Sequence, residues 1–346
     1  MKFKRIQFPA KTLIVSSLDT RYNAFLPYFL KLWADRFASK PDVNGMHALT
    51  APWANPVSVP QGFFAALRLL FSAKYRTIVF LNPDTKANRA LKWAARLLFI
   101  RHRAGFAPLK GFSTLNYSLP FNTENHHYIH QLKIFFEYLV GEKIADWKKP
   151  ELPAVAANTD LPKESYGVVA IDTTEPATGH LSLQLAKFIN QSARHTHLML
   201  LIGAAPDHAG EIISAQDLAR QLSEAMTERA VEVTGLVVHP TEEQKIAITR
   251  EAAWVTGTDA ETLNIAALCG VPGLSIFGPL NERVWQPFAT RARVLAGDFA
   301  CRPCTQFPGT VTCTNPVAWQ CISGITGELM AATLTGMLQR RPPAQK

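Results

Sequence analysis

Short, wholly apolar runs alternate along this chain with longer segments in which apolar residues recur every three or four positions. The first kind reads as buried β-strand and the second as amphipathic helix. In the N-terminal half the pattern predicts strands at 12–16, 46–49 and 77–81, the last ended by Asn82-Pro83. A further strand starts at 104–106. Helices are predicted at 24–37, 63–73, 87–100 and 127–141, the last closing on Gly141. Strands that alternate with helices imply an α/β fold with a parallel sheet.

The stretch 142–165 is polar and rich in Lys, Ala and Pro, with Lys148-Lys149-Pro150 and Glu151-Leu152-Pro153. It reads as a linker region, so a first domain is drawn at 1–150, a linker at 151–165 and a second domain at 166–346. The alternation then restarts. Strands are predicted at 167–171, 196–202, 233–237, around Val255 and at 274–277. Helices are predicted at 182–192, 215–228 and 241–250. The chain shows neither a solenoid-length repeat nor a low-complexity tract.

The segment from Thr256 to Pro279 is the most informative. Thr256-Gly257-Thr258-Asp259-Ala260-Glu261-Thr262 is a polar loop with Thr and Asp available as helix caps. Leu263–Cys269 is predicted as a short helix of small residues, ended by Gly270. Leu274–Phe277 is an apolar strand broken by Gly278-Pro279. A helix N-terminus at the end of a parallel strand offers free N–H groups and a dipole to an anion. An ordinary α/β crossover has the same local pattern, and both readings stay open.

Composition narrows the class. With 47% hydrophobic residues in 346, the chain is globular and long enough for a core in each of two domains. It lacks an apolar run long enough to span a bilayer, and its start lacks the apolar core of a signal peptide. The expected location is therefore cytoplasmic. The net charge of +9 favours an anionic partner. Basic residues concentrate before residue 150, as in Lys31…Arg36, Lys74-Tyr75-Arg76, Lys86…Arg96 and Arg101-His102-Arg103. Arg89–Ile100 reads as a basic amphipathic helix, either a solvated face or a peripheral attachment to an anionic inner-membrane surface. Nucleic acid is not an expected partner, because no nucleic-acid-binding signature accompanies the charge.

Downstream lie Asn281-Glu282-Arg283-Val284-Trp285-Gln286-Pro287-Phe288 and Cys301-Arg302-Pro303-Cys304. The order TGTD, IAALCGVP, IFGP, R-x-WQP and then a Cys-x2-Cys resembles glycosyltransferase family 9, the bacterial lipopolysaccharide heptosyltransferases. The resemblance extends over about residues 235–325 and continues in register over 11–141. It implies a GT-B fold, with two Rossmann-like domains facing across a cleft. It also implies metal-independent transfer of heptose or a related sugar from an ADP-heptose-like nucleotide-sugar donor. The acceptor implied is a lipopolysaccharide core, another cell-surface group or a protein.

The resemblance also assigns residues. Family 9 carries its base as the Asp of a Ser-Ser-Leu-Gly-Asp turn, and this chain reads Ser16-Ser17-Leu18-Asp19-Thr20-Arg21. Asp19 is the implied catalytic base, one residue early; counting back from Pro27 puts Arg21 at that place instead. Asp19 also suits a plain helix N-cap. The implied donor-binding residues are Thr258, Asp259, Thr262, Asn264, Arg283 and His180. Glu261 stands where the family has a Gly, and a carboxylate there repels a diphosphate unless it turns away. Asn264 stands for a His and Thr178 for a Lys, with His180 as a substitute cation. Arg283 and Trp285 agree with the family, as does His127, which has His126 and His130 beside it. The altered donor residues motivate an alternative: a non-catalytic family 9 homologue that binds a partner.

Four cysteines follow the donor region as Cys301-x2-Cys304-x8-Cys313-x7-Cys321. In a reducing compartment such a cluster favours metal over disulfide, and four thiolates complete a tetrahedron around zinc or iron. Such a site would be structural, with no cofactor required for catalysis. Related autotransporter heptosyltransferases resemble holders of an iron bound by four cysteines. Reduced buried thiols, a redox-sensitive pair and a metal or redox sensor are the competing readings. Cys269 reads as packing.

Overall fold

A computed structural model describes residues 11–16, 25–37, 39–44, 51–60, 62–81, 86–107, 113–145, 149–155, 161–174, 180–192, 197–203, 214–227, 234–306 and 311–339. The chain divides into two compact units, Met1–Pro153 and Ala154–Lys346, and the division falls inside the stretch 151–165.

The first unit runs β1 (Thr12–Val15), α1 (Leu26–Phe37), β2 (Asp42–Asn44), β3 (Asn55–Val57), α2 (Phe63–Ala73), β4 (Thr77–Phe80), α3 (Lys86–Leu97), β5 (His102–Phe106), β6 (Tyr117–Leu119) and α4 (Tyr128–Val140). Its strands form one parallel sheet in the order β3-β2-β1-β4-β5-β6. Every residue of β1 and β4 is buried, as continuous apolar runs at the centre of a covered parallel sheet must be. Helices α1 and α4 pack together through Phe29, Trp33, Phe135 and Phe136, and α2 packs on α3. Right-handed crossovers place these two pairs on opposite faces of the sheet.

The second strand lies at Asp42–Asn44, ahead of the 46–49 that the apolar pattern suggests; 46–49 falls outside the described residues. Polar tertiary contacts anchor it. The Tyr75 hydroxyl donates to Asp42 Oδ2 at 2.7 Å, and Lys11 pairs with the same oxygen at 3.1 Å. Strands β3 and β6 are three residues each and sit at the sheet edges. Pro56 in β3 is tolerated there because an edge strand leaves part of its backbone unpaired. Such short edge strands leave no periodic signal to read.

The second unit runs β7 (Tyr166–Ile171), α5 (Ser182–Ser192), β8 (His197–Ile202), α6 (Ala215–Thr227), β9 (Gly235–Val238), α7 (Glu242–Arg250), β10 (Trp254–Gly257), α8 (Ala260–Cys269), β11 (Gly273–Phe277), α9 (Glu282–Trp285), β12 (Ala292–Ala296), α10 (Gln320–Ser323) and α11 (Gly327–Gln339). Its parallel sheet has the order β12-β11-β10-β7-β8-β9. One core cluster, with Phe188, Leu200, Trp254 and Leu274, lies under α5, α6 and α11. A second, with Val168, Leu201, Ile248, Val255 and Leu263, lies under α7 and α8.

Both sheets follow the same plan: the first strand of each unit sits beside its fourth, and the chain runs outward from that pair in both directions. The loops after those two strands therefore diverge to opposite faces and open a crevice at their C-terminal ends, where doubly wound sheets bind ligands. In the first unit the crevice lies after β1 and β4. In the second it lies after β7 and β10.

Candidate functional site

The crevice of the second unit is built by backbone contact between the ends of β7 and β10. The amides of Thr258 and Asp259 both donate to Ala170 O, at 3.0 and 3.2 Å. Thr258 Oγ1 accepts from the Asp172 amide at 3.1 Å. Gly257 permits this approach: its φ is +140°, and a Cβ there would lie 1.8 Å from Ala170 O. On the β7 side, Asp172 Oδ1 accepts from the Thr174 amide at 2.8 Å and the Thr174 hydroxyl at 2.6 Å, closing an Asx turn.

From this crevice α8 starts at Ala260, three residues before the Leu263 expected from the apolar pattern. Asp259 is the reason. As N-cap it accepts from the Thr262 amide through Oδ1 and from the Thr262 hydroxyl through Oδ2, both at 3.1 Å. The expected polar loop is therefore partly first turn, and Thr262 and Asn264 lie inside the helix. Gly270 closes α8 in the left-handed region, and Val271 N donates back to Ala266 O at 2.9 Å.

Beneath the first turn lies a buried ion triad. Lys245, on the first turns of α7, places Nζ 2.8 Å from Asp259 Oδ2 and 2.7 Å from Glu261 Oε2. All three side chains are buried. Helix α7 is held for this by a capping box, in which Thr241 and Gln244 bond reciprocally. Burial by itself would push the Asp259 carboxyl up. The Lys245 charge and hydrogen bond, with the Thr262 amide and hydroxyl, outweigh it and hold Asp259 below the usual carboxylate range. Burial likewise disfavours the Lys245 ammonium, but the two carboxylates raise it well above an ordinary lysine.

This arrangement relocates the chemistry expected of the segment. Glu261 does not face an incoming anion; it turns into the core and is neutralised by Lys245. Asn264 is buried and donates to Ala260 O at 2.8 Å. The side chains of Asp259, Thr262 and Asn264 are thus engaged inside the helix turn. The crevice is left with backbone donors: among the described residues the amides of Ala260 and Glu261 have no acceptor. Half-buried Thr258 stands beside them. Lys245 and the Asp172–Thr174 turn escaped the sequence reading. A lone Lys in a capped helix carries no signal of a partner one helix later.

Arg283 is exposed on α9, where Asn281 caps its amide at 3.1 Å. Trp285 is buried, with its indole N–H donating to Gln306 O at 3.1 Å, so it anchors the loop. His180 is exposed just before α5. In the first unit Asp19 and Arg21 lie outside the described residues. The strand ends there are tied: Ser16 N donates to Asn44 Oδ1 at 2.6 Å, and the Tyr128 hydroxyl to Leu81 O at 2.7 Å. His127 caps α4, accepting from the Ile129 amide through Nδ1 at 3.2 Å.

The four cysteines carry no disulfide. The loop bearing them is clamped by Arg302, whose guanidinium donates to the carbonyls of Gly278, Leu280 and Gly297 and to Glu282 at 2.6–3.1 Å. Burial pushes the Cys304 thiol up, and Cys301 and then Cys313 push the same way. Burial pushes Cys321 up as well, opposed by Arg302 and reinforced by the other three thiols. Among the described residues no three His, Cys, Asp or Glu are gathered tightly enough to hold a metal ion.

No protein-family model matches the chain, and no curated protein matches it in sequence. Solved structures do. The ADP-heptose lipopolysaccharide heptosyltransferase II of E. coli covers 95% of this chain and 98% of its own at 14% identity and a TM-score of 0.68. A family 9 glycosyltransferase of Veillonella parvula covers 96% and 99% at 12% identity and the same TM-score of 0.68. The fold is GT-B. The iron-containing dodecameric glycosyltransferase TibC of enterotoxigenic E. coli covers 96% of this GT-B chain and 80% of its own, at 11% identity and a TM-score of 0.55. At such identities the likeness is one of fold, and the chemistry of this GT-B protein has to be argued from its own residues.

Proposed function

We propose that this chain is a glycosyltransferase of the heptosyltransferase-like family 9, with a nucleoside diphosphate-sugar as donor. The observation that carries this reading is the withdrawal of Glu261 onto Lys245, which clears the N-terminus of α8 at the strand-order reversal. The amides of Ala260 and Glu261 and the helix dipole then suit a diphosphate. Thr258 and exposed Arg283 are the side chains proposed to help hold it, with exposed His180 as a further hydrogen-bonding side chain. Asp19 is proposed to take the proton of the acceptor hydroxyl. The acceptor oxygen bonds to the anomeric carbon, and the bond from that carbon to the diphosphate breaks with its electrons leaving on phosphate. An ADP-heptose-like donor fits the neighbours in fold. The acceptor proposed is of lipopolysaccharide type, or a protein, and the proposed setting is the cytoplasm, at the inner-membrane surface.

The four-cysteine loop, with Cys301, Cys304, Cys313 and Cys321, is proposed as the place of a structural zinc or iron. Bound metal would clip that loop and take no part in transfer.

One observation favours a second reading, a non-catalytic partner-binding homologue. The side chains of Asp259, Thr262 and Asn264 are spent on internal bonds, so donor recognition would rest mainly on the backbone. A thermal-shift panel of ADP, UDP, GDP, CMP and ADP-heptose separates the two. A nucleotide at a hundred times its Kd adds about 2.7 kcal/mol, a readily measured shift. Selective stabilisation by one diphosphate, followed by sugar transfer that disappears in Asp19→Ala, supports the enzyme. No response to any nucleotide, with no transfer, supports the partner-binding homologue.

A further inference from the structure

The face of the first unit formed by α2 and α3 exposes apolar side chains that the core does not use. On α2, Phe64, Arg68 and Phe71 project at helical spacing, with Phe64 82% and Phe71 76% exposed. Ala66 and Leu70 turn inward to the core shared with β1 and β4. On α3, Arg89, Trp93, Arg96 and Leu97 are exposed, while Leu91, Ala94 and Ala95 are buried. The two helices border an open groove of about 760 Å³ lined by Phe63, Arg89, Trp93, Arg96 and Phe99, with Arg103 at its end.

Phe99 sharpens the picture. It ends α3 at φ 52°, in the left-handed region, with the Ile100 amide donating back to Ala95 O at 3.0 Å. That position favours Gly, because a side chain there crowds the backbone. Here it holds an aromatic ring that is 88% exposed. Little of that ring is buried by the fold, so it is available to another surface.

Charge is as uneven as hydrophobicity. Residues 51–120 carry ten Lys and Arg against one Asp, a net +9 that equals the charge of the whole chain. The remainder is balanced. Arg96 stacks over Trp93 at 5.8 Å from the ring centre. Arg103 is fixed at the groove by donating to Thr114 O and Ile100 O, at 2.8 and 2.6 Å.

We propose that this α2–α3 face docks on an anionic phospholipid bilayer, with Phe64, Phe71, Trp93, Leu97 and Phe99 entering the interfacial layer and Arg68, Arg89 and Arg96 meeting lipid phosphates. Aromatic rings interleaved with arginines on one face suit the headgroup boundary, where rings sit among acyl chains and cations among phosphates. Among the described residues no helix is long and apolar enough to cross a membrane, so this is a surface contact. It deepens the membrane location proposed above and rests on that reading only for its biological setting. Each arginine near an anionic surface contributes about fivefold in affinity.

The test is co-sedimentation of the full chain with vesicles of phosphatidylcholine alone or with added phosphatidylglycerol. Binding is expected only with the anionic lipid, weakening with salt, and falling roughly 25-fold in Arg89→Ala/Arg96→Ala. Phe99→Gly is expected to lose vesicle affinity while keeping or raising Tm, since Gly relieves the backbone; a merely structural Phe99 would lower Tm and leave vesicle binding unchanged. Equal binding to both vesicles, no binding at low salt, or full displacement by a single-stranded oligonucleotide would overturn the proposal. Nucleotide thermal shifts read the donor site independently, so the two readings can fail separately.

Discussion

Lys245 Nζ stands 2.7 Å from Glu261 Oε2 in the core of the second unit, and that pairing decides what the crevice can hold. With Glu261 turned inward, the residue that should repel a diphosphate becomes part of the scaffold under the helix that would bind one. The same ammonium reaches Asp259 at 2.8 Å, so one cation serves both the cap and the first turn of α8. The arrangement costs desolvation of three charges and depends on all three partners being present.

Lys245→Met should therefore destabilise the protein by about 3–5 kcal/mol, because it strands two buried carboxylates. Urea denaturation measures this. Glu261→Gln should cost less, since Asp259 still pairs with Lys245. If Lys245→Met unfolds at the wild-type midpoint, the triad does not hold the helix.

The triad also sets a pH dependence. Asp259 lies below its ordinary value when folded. Its stabilisation is present above the unfolded value of about 3.9 and is lost as pH falls through the folded value. Lys245 is raised, so its contribution is present below about 10.4 and lost as pH rises through the folded value. In Asp259→Asn the acid limb of a Tm–pH profile should flatten below about pH 4. An acid limb identical to wild type would refute this assignment.

Gly257→Ala should strain the crevice at its hinge, by roughly 1–3 kcal/mol from the backbone conformation alone. The clash with Ala170 O adds to that. Nucleotide-dependent thermal shifts should disappear in this variant while circular dichroism retains its α/β signature. Retained nucleotide shifts would place the donor elsewhere.

Asp19→Ala should lower sugar transfer by roughly 10²–10⁴ with donor binding intact, if Asp19 acts as a general base. Single-turnover assays beside nucleotide titrations distinguish that outcome from a folding defect. Unchanged transfer would shift attention to the other polar residues of 16–21.

Protein purified with zinc or iron present should carry one metal per chain, and all four cluster thiols should be shielded from alkylation. Elemental analysis and mass spectrometry read both. Metal-free protein whose thiols alkylate freely under those conditions would leave the cluster as reduced cysteines held by the Arg302 clamp.

The sequence by itself determined the α/β alternation on both sides of the polar stretch at 142–165. This follows from local periodicity: buried central strands are apolar throughout, and covering helices show an apolar stripe. It also placed the crevice segment at 256–270, because cap residues and Gly270 act within their own turn. Only the tertiary structure decided where the polar side chains of that segment go. Lys245 lies on a different helix from Glu261, and nothing local to either residue specifies a salt bridge between them. The edge strands at 55–57 and 117–119 and the α2–α3 groove are likewise products of packing. Periodicity records which side of an element is buried; what it is buried against is chosen by the fold.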